Sequence, residues 1–218
     1  LRGLLFAYAV LPFHRIFRIS LTNLHLFARR IPFIERHEYS QNGEDGMIAA
    51  IFAMVGTTNK YFVEFGVEDG IECNTRYLSK HEGWKGLLMD GSHENAALNL
   101  HKEFITAENI ESLFAKYNVP KEFDLLSIDI DGNDYWVWKA VTHYSPRVVI
   151  IEYNACIPYE PPVTIPYAPA FQWDKTDYYG GSLSAFVGLA RTKGYTLVGT
   201  DPNGVNAFFV RDDCVPGK

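Results

Sequence analysis

Residues 60–75 read Lys60-Tyr-Phe-Val-Glu-Phe-Gly-Val-Glu-Asp-Gly70-Ile-Glu-Cys-Asn-Thr75. Tyr61 to Phe65 is a run of aromatic and β-branched residues of the kind that forms a buried strand. It breaks at Gly66 and Gly70, and a helix-compatible segment begins near Asn74. Strand, tight turn and helix follow one another within sixteen positions. Glycines at such a turn let a backbone approach a ligand that a Cβ would block, and they accept positive φ. Taken alone they equally suit any turn from strand to helix in an α/β protein.

About 20 residues on, Gly86-Leu-Leu-Met-Asp90 reads as a second buried strand ending in a carboxylate. In nucleotide-binding α/β folds an acid at that strand end accepts hydrogen bonds from ribose hydroxyls, beside the first glycine turn. Gly66, Gly70 and Asp90 are therefore expected to face one adenosine-like ligand. A dinucleotide fingerprint starting at Gly66 would need glycines where Glu68 and Ile71 stand. Glu64, Glu68 and Asp69 also crowd the turn with negative charge, which repels a pyrophosphate and suits the sulfonium and amino groups of S-adenosylmethionine.

These residues carry a family resemblance. Glu64-x-Gly66-x-x-x-Gly70 with Asp90 resembles the nucleotide motif of class I S-adenosylmethionine-dependent methyltransferases. Ser40-Gln-Asn-Gly-Glu-Asp45, Phe62 to Gly70, Cys73-Asn-Thr75 and Gly83-Trp-Lys-Gly86 together resemble the FkbM-like methyltransferases, with Cys73 where that pattern has serine. The resemblance spans roughly residues 39 to 211. It implies a Rossmann-like seven-stranded, mostly parallel sheet with helices on both faces and a C-terminal antiparallel strand. It also implies methyl transfer to a hydroxyl of a saccharide or related small molecule, with Gln41 as a cofactor contact from the Ser-Gln motif.

The chain of 218 residues suits one substantial core and is short for two domains. Its net charge of −6 is uneven: residues 1–38 carry +4, as a basic amphipathic segment, and the remainder −10. An acidic main body argues against nucleic acid, whose binding leans on clustered Lys and Arg. Residues 1–34 are expected either to lie on an anionic membrane surface or to pack on the domain or a partner subunit. Three scattered cysteines suggest neither a disulfide framework nor a zinc site, so a reducing, cytoplasmic setting is the default. No apolar run reaches membrane-span length. The leucine at position 1 suggests that the sequence starts inside a longer chain.

Ser40 reads as the N-cap of a helix through about Met54. Further helices are expected at Asn74 to Glu82, Ser92 to His101, residues 107–117, Asp134 to Thr142 and Gly181 to Lys193, the last closed by Gly194. Beyond the first two strands come a weak one at 104–106, strong ones at 123–130 and 147–153, and a closing pair at 195–200 and 205–211 joined by Asp201-Pro-Asn-Gly204. Strict alternation implies parallel pairing with helices on both faces. Residues 154–180 interrupt the rhythm with five prolines and many aromatics, and are read as an ordered lid over the substrate.

Ligands of open α/β sheets bind beyond the carboxyl ends of the strands. Those ends hold Glu64 to Gly70, Asp90, Glu108-Asn109, Asp129-Ile-Asp-Gly-Asn-Asp134 and Glu152-Tyr-Asn154. Candidate cofactor contacts are thus Gln41, Glu64, Gly66, Gly70, Asn74, Asp90, Asn109 and Asp129. Asp129 and Asp131, two apart, point the same way if the strand continues, so a proton, a cation or a metal must relieve their repulsion. The layout with Glu152-x-Asn154 resembles the magnesium site of catechol-type O-methyltransferases, which implies Asp129, Glu152 and Asn154 as ligands of Mg²⁺ and Asp129, Asp131 and Glu152 as catalytic groups. The alternative is metal-free: Asp131 and Asn133 cap the next helix while Asp129 binds cofactor or substrate. His93 is a candidate base or adenine-side contact. No Gly-x-Ser-x-Gly elbow or Walker loop supports a hydrolase or phosphotransferase. Two other readings compete, a nicotinamide-dependent oxidoreductase and a non-catalytic scaffold beside a membrane or a glycosyltransferase.

Overall fold

A computed structural model describes residues 38–215. The basic segment expected at 1–38 therefore lies outside the described residues, apart from Glu38. No helix among the described residues is long and apolar enough to cross a membrane.

The elements run α1 (Glu44–Val55), β1 (Tyr61–Phe65), α2 (Arg76–His81), β2 (Lys85–Asp90), β3 (Leu100–Lys102), α3 (Ile110–Lys116), β4 (Glu122–Ile128), α4 (Asp134–Ala140), β5 (Ser145–Glu152), α5 (Leu183–Lys193), β6 (Tyr195–Thr200) and β7 (Asn206–Arg211). They build one seven-stranded sheet in the order β3-β2-β1-β4-β5-β7-β6. β1 to β5 pair in parallel, and β7 runs antiparallel between β5 and β6. This is the expected Rossmann-like α/β architecture. The strand order reverses between β1 and β4, which puts a crevice at their carboxyl ends.

Period-two alternation divides the core between the two sheet faces. Val63, Phe65, Leu87 and Met89 join the layer that holds Phe114, Trp138 and Phe186 from α3, α4 and α5. Phe62, Leu88, Leu125 and Val148 join the layer under Ile48, Ile51 and Phe52 of α1 and Trp84. Parallel strands buried on both faces explain why β1, β4 and β5 read as near-continuous apolar runs.

Three local expectations are corrected. Ser40 is not the N-cap: α1 starts at Glu44 behind Gly43, whose φ is 84°. Ser40 Oγ instead accepts from Asp45 N at 3.1 Å while Asp45 Oδ2 accepts from Ser40 N at 3.2 Å, a reciprocal lock that accounts for the Ser-x-x-Gly-x-Asp spacing. The helix expected at 92–101 does not form. Asp90 Oδ1 takes Ser92 N and His93 N, which turns the chain, and only a 3-10 turn at Ala96–Leu98 follows, capped by Asn95. The third strand accordingly lies at Leu100–Lys102 rather than 104–106. α5 does start behind Ser182, whose side chain accepts from Ala185 N, and ends at Gly194 with φ 76°.

Candidate active-site cleft

β1 delivers Glu64 to the sheet edge fully buried, at 4 % exposure. Its Oε1 accepts from Asn74 N at 2.8 Å and Ser127 Oγ at 3.3 Å, and its Oε2 from Thr75 N at 2.9 Å and Thr75 Oγ1 at 2.6 Å. Each oxygen thus has two donors from the chain itself, which tie the loop after Gly70 to β1, and Glu64 lines the cleft as expected. Burial pushes its pKa up, and those hydrogen bonds oppose the rise. Asn74 completes the tie through Nδ2 to Ser127 Oγ at 3.1 Å.

Gly66 has φ 78°, and a Cβ there would fall 1.3 Å from the Asp129 carbonyl oxygen. Glycine is required to bring the ends of β1 and β4 together, not only to admit a ligand. A Cβ on Gly70 would come 3.1 Å from Leu98 Cδ1, and Gly70 stands outside the cleft wall, contrary to the expectation that it faces the ligand. Asp90 ends β2 with Oδ2 accepting from Glu68 N at 2.9 Å, which leaves that oxygen a second acceptor position. Burial raises the Asp90 pKa, but bonds from Ser92 and His93 outweigh it and hold the group below its ordinary value. His93 sits against the Oδ1 side at 3.1 Å and does not line the cleft.

The cleft measures roughly 720 Å³ and opens over the carboxyl ends of β1, β2 and β4. Gln41, Glu64, Gly66, Asn74, Asp90 and Asp129 line it as expected. Asn109 does not: its side chain accepts from Thr106 N at 2.8 Å and donates to Phe104 O at 2.8 Å, holding the turn before α3. Glu44, Glu64, Glu68, Asp69, Glu72, Asp90, Glu103, Asp129 and Asp131 all line it. No lysine, arginine or histidine among the described residues joins these nine carboxylates.

Asp129, Asp131 and Glu152 each bring an oxygen within 4.8 Å of the others. They do so by a different route from the one expected, because β4 ends at Ile128 and Asp131 turns back with φ 58°. Left-handed backbone in a non-glycine residue is strained by about 1 kcal/mol or more, and Glu68 across the cleft shares it with φ 49°. The loop is held by Asp134, whose carboxylate accepts from Ile130 N at 2.9 Å and Gly132 N at 2.8 Å. Asn133 occupies the N-cap position without a side-chain cap bond, so Asp131 and Asn133 are not the helix cap of the metal-free alternative. Glu152 Oε2 is buried with no hydrogen-bond partner, while the residue is 8 % exposed.

Burial, and then Asp134, Asp131, Glu64 and Glu44, push the Asp129 pKa well up; burial, and then Asp129, Asp134 and Asp131, push Glu152 up. Asp131 is raised by burial and by Glu68. Asn154, expected as a metal ligand, is committed to the lid. Its Nδ2 donates to Asp177 O at 2.9 Å and Tyr179 O at 3.1 Å, and its Oδ1 accepts from Cys156 N at 2.9 Å. Asp131 takes its place in the oxygen cluster.

The lid is ordered by side chains reaching from the sheet edge. Trp136 Nε1 donates to Ile165 O at 2.9 Å, Asn133 Nδ2 to Ala168 O at 2.8 Å, and Tyr167 OH bonds Glu108. Phe171 packs so tightly on Gly132 that a Cβ there would meet its ring at 2.4 Å. Phe171, Gln172 and Trp173 thereby become cleft wall. Sequence reading missed Phe104 and Ile71, which line the cleft at 49 % and 58 % exposure. It also missed Asn206, whose Nδ2 donates to Glu44 at 2.9 Å. Ile71 stands in the bend after Gly70, Phe104 reads as the start of a weak strand but lies in the loop after β3, and Asn206 reads as an ordinary strand residue.

No protein-family model matches the chain, and no curated protein matches it either.

Proposed function

We propose that the protein is an S-adenosylmethionine-dependent O-methyltransferase acting on a hydroxyl of a saccharide or related small molecule. The observation that carries this reading is the charge of the cleft: nine carboxylates and no cationic side chain among the described residues surround the nucleotide position of a Rossmann-like sheet. A pyrophosphate would meet like charge on every side, whereas a ligand carrying a sulfonium and an ammonium gains from it. That disfavours the nicotinamide reading. The free acceptor position on Asp90 Oδ2 fits a ribose hydroxyl, and Ile71 and Phe104 offer apolar surface for a base.

Bound S-adenosylmethionine supplies an electrophilic methyl group. Methyl transfer depends chiefly on alignment, so the lid and the acid cluster act by positioning the acceptor and excluding water. Asp131, the exposed member of the cluster, is placed to take the hydroxyl proton, and its raised pKa brings it closer to working pH. The donor set of Asp129, Asp131 and Glu152 is all oxygen, and the unpartnered Glu152 Oε2 fits a hard divalent cation such as Mg²⁺. Such an ion would acidify and orient a sugar hydroxyl.

Calorimetry with S-adenosylhomocysteine and with NADH tests the cofactor directly. Micromolar binding of the first and none of the second is expected. The reverse would replace this reading by the oxidoreductase.

A further inference from the structure

Trp173 is unusual among the cleft residues in being both exposed and fixed. The residue is 43 % exposed, its Nε1 donates to Thr176 O at 2.7 Å, and its ring meets that of Tyr179 edge-to-face with centroids 5.9 Å apart. A ring held at its N–H and against a second ring presents its exposed surface with little entropy left to lose. The acid cluster supplies the polar counterpart. Glu152 Oε2 is buried without a partner, in a residue 8 % exposed, and its carboxylate shares the cluster with Asp129 and Asp131 of the cleft wall. Carboxylate oxygens accept from hydroxyls, and a flat aromatic face packs against the C–H face of a saturated ring.

We propose that the acceptor enters this cleft without negative charge, as a neutral polyhydroxylated ring stacked on Trp173 with its hydroxyls toward Asp129, Asp131 and Glu152. This rests on the methyltransferase reading and adds the charge state of the acceptor. A sugar phosphate or a nucleoside-diphosphate sugar brings one or two phosphates into a site lined by nine carboxylates and no cationic side chain among the described residues, an excess of negative charge that one Mg²⁺ on the acid cluster would not cancel, and each close like-charge contact lowers affinity by about tenfold or more. Methylation therefore acts on the sugar while it carries no phosphate, before its activation or after glycosyl transfer has released the nucleoside diphosphate.

The test uses the full chain, so that any cation from the residues outside the described region is present. Isotope-labelled methyl transfer is measured to matched acceptors: neutral methyl glycosides of common hexoses and 6-deoxyhexoses, the same sugars as 1-phosphates, and their nucleoside-diphosphate forms. At least one neutral glycoside is expected to exceed its charged counterparts about tenfold in kcat/KM, and Trp173→Ala to raise its KM about tenfold. Preference for a charged form, or methylation of no neutral glycoside, overturns the proposal. Binding of S-adenosylhomocysteine beside either result shows that the cofactor reading survives, whereas its absence fails that reading instead. A readout independent of turnover is quenching of the Trp173 fluorescence, isolated by difference against Trp173→Phe. Caesium should quench it several-fold better than iodide, and equal or stronger quenching by iodide overturns the proposal whatever the activity.

Discussion

Gly66 and Asp129 meet through their backbones at the carboxyl edge of the sheet: a Cβ on Gly66 would overlap the Asp129 carbonyl, and Asp129 N donates to Phe65 O at 3.3 Å. The two halves of the candidate site, the glycine turn after β1 and the acid loop after β4, are therefore one packed unit. A change in either moves both.

Gly66→Ala is the sharpest probe of that contact. The new methyl cannot be accommodated by a side-chain rotation, because the opposing atoms are backbone, and φ 78° adds strain. Destabilisation of roughly 3–5 kcal/mol is expected, or failure to fold. Denaturant unfolding measures it, and a loss under 1 kcal/mol would show that the strand ends can separate.

Asp90→Ala removes the acceptor that holds Glu68 N and, in the proposed function, a ribose hydroxyl. Affinity for S-adenosylhomocysteine should fall roughly ten- to a hundredfold, the equivalent of about 1.5–3 kcal/mol. Calorimetry at matched folded fraction reads this, and unchanged affinity would remove the ribose from Asp90.

The fold was legible because β1, β4 and β5 are buried on both faces and so spell themselves out in consecutive apolar residues, with carboxylates where they end. The helix expected at 92–101 was illegible for a physical reason. Its turn is set by Asp90 reaching forward to Ser92 and His93, a side-chain choice that hydrophobic periodicity does not record. The site shows the same division. Asp129, Asp131 and Glu152 were readable as a cluster of strand ends, but the dihedral of Asp131 and the distant bonds of Asn154 decide which three oxygens meet. Glu64 illustrates the limit of a motif, since position alone cannot tell a ligand carboxylate from one already saturated by Asn74, Thr75 and Ser127.

Asn154→Ala tests the lid anchor. It deletes the donors to Asp177 O and Tyr179 O and the acceptor of Cys156 N, all from a fully buried residue. Stability should drop by about 2–3 kcal/mol, and amide exchange should accelerate across residues 177–182. Cofactor affinity should change little, because Asn154 does not line the cleft. If exchange in the lid is unaltered, the lid is held without Asn154, by its contacts with Trp136, Asn133, Gly132 and Glu108.

The acid cluster makes the stability of the chelator-treated protein depend on pH with an unusual sign. Asp129, Asp131, Asp134 and Glu152 all have pKa values raised in the folded chain, chiefly by burial. Their contribution is complete below the ordinary carboxylate range near pH 4 and is lost as pH rises through the folded values. Asp90, whose pKa is depressed, contributes oppositely, but it is already ionised above pH 5. Between pH 5 and pH 8 the Tm in EDTA should therefore fall. In the Mg²⁺ form of the proposed function the ion would replace the missing protons, so it should restore stability at pH 8 far more than at pH 5. At a hundred times its Kd the rise should be roughly 5 °C or more. Asp129→Asn should reduce both the pH dependence and the Mg²⁺ effect, because it removes one charge from the cluster while keeping its shape. A Tm that is flat from pH 5 to pH 8 in EDTA and indifferent to Mg²⁺ would take the cation out of the site and leave Asp131 to act on the acceptor hydroxyl unaided.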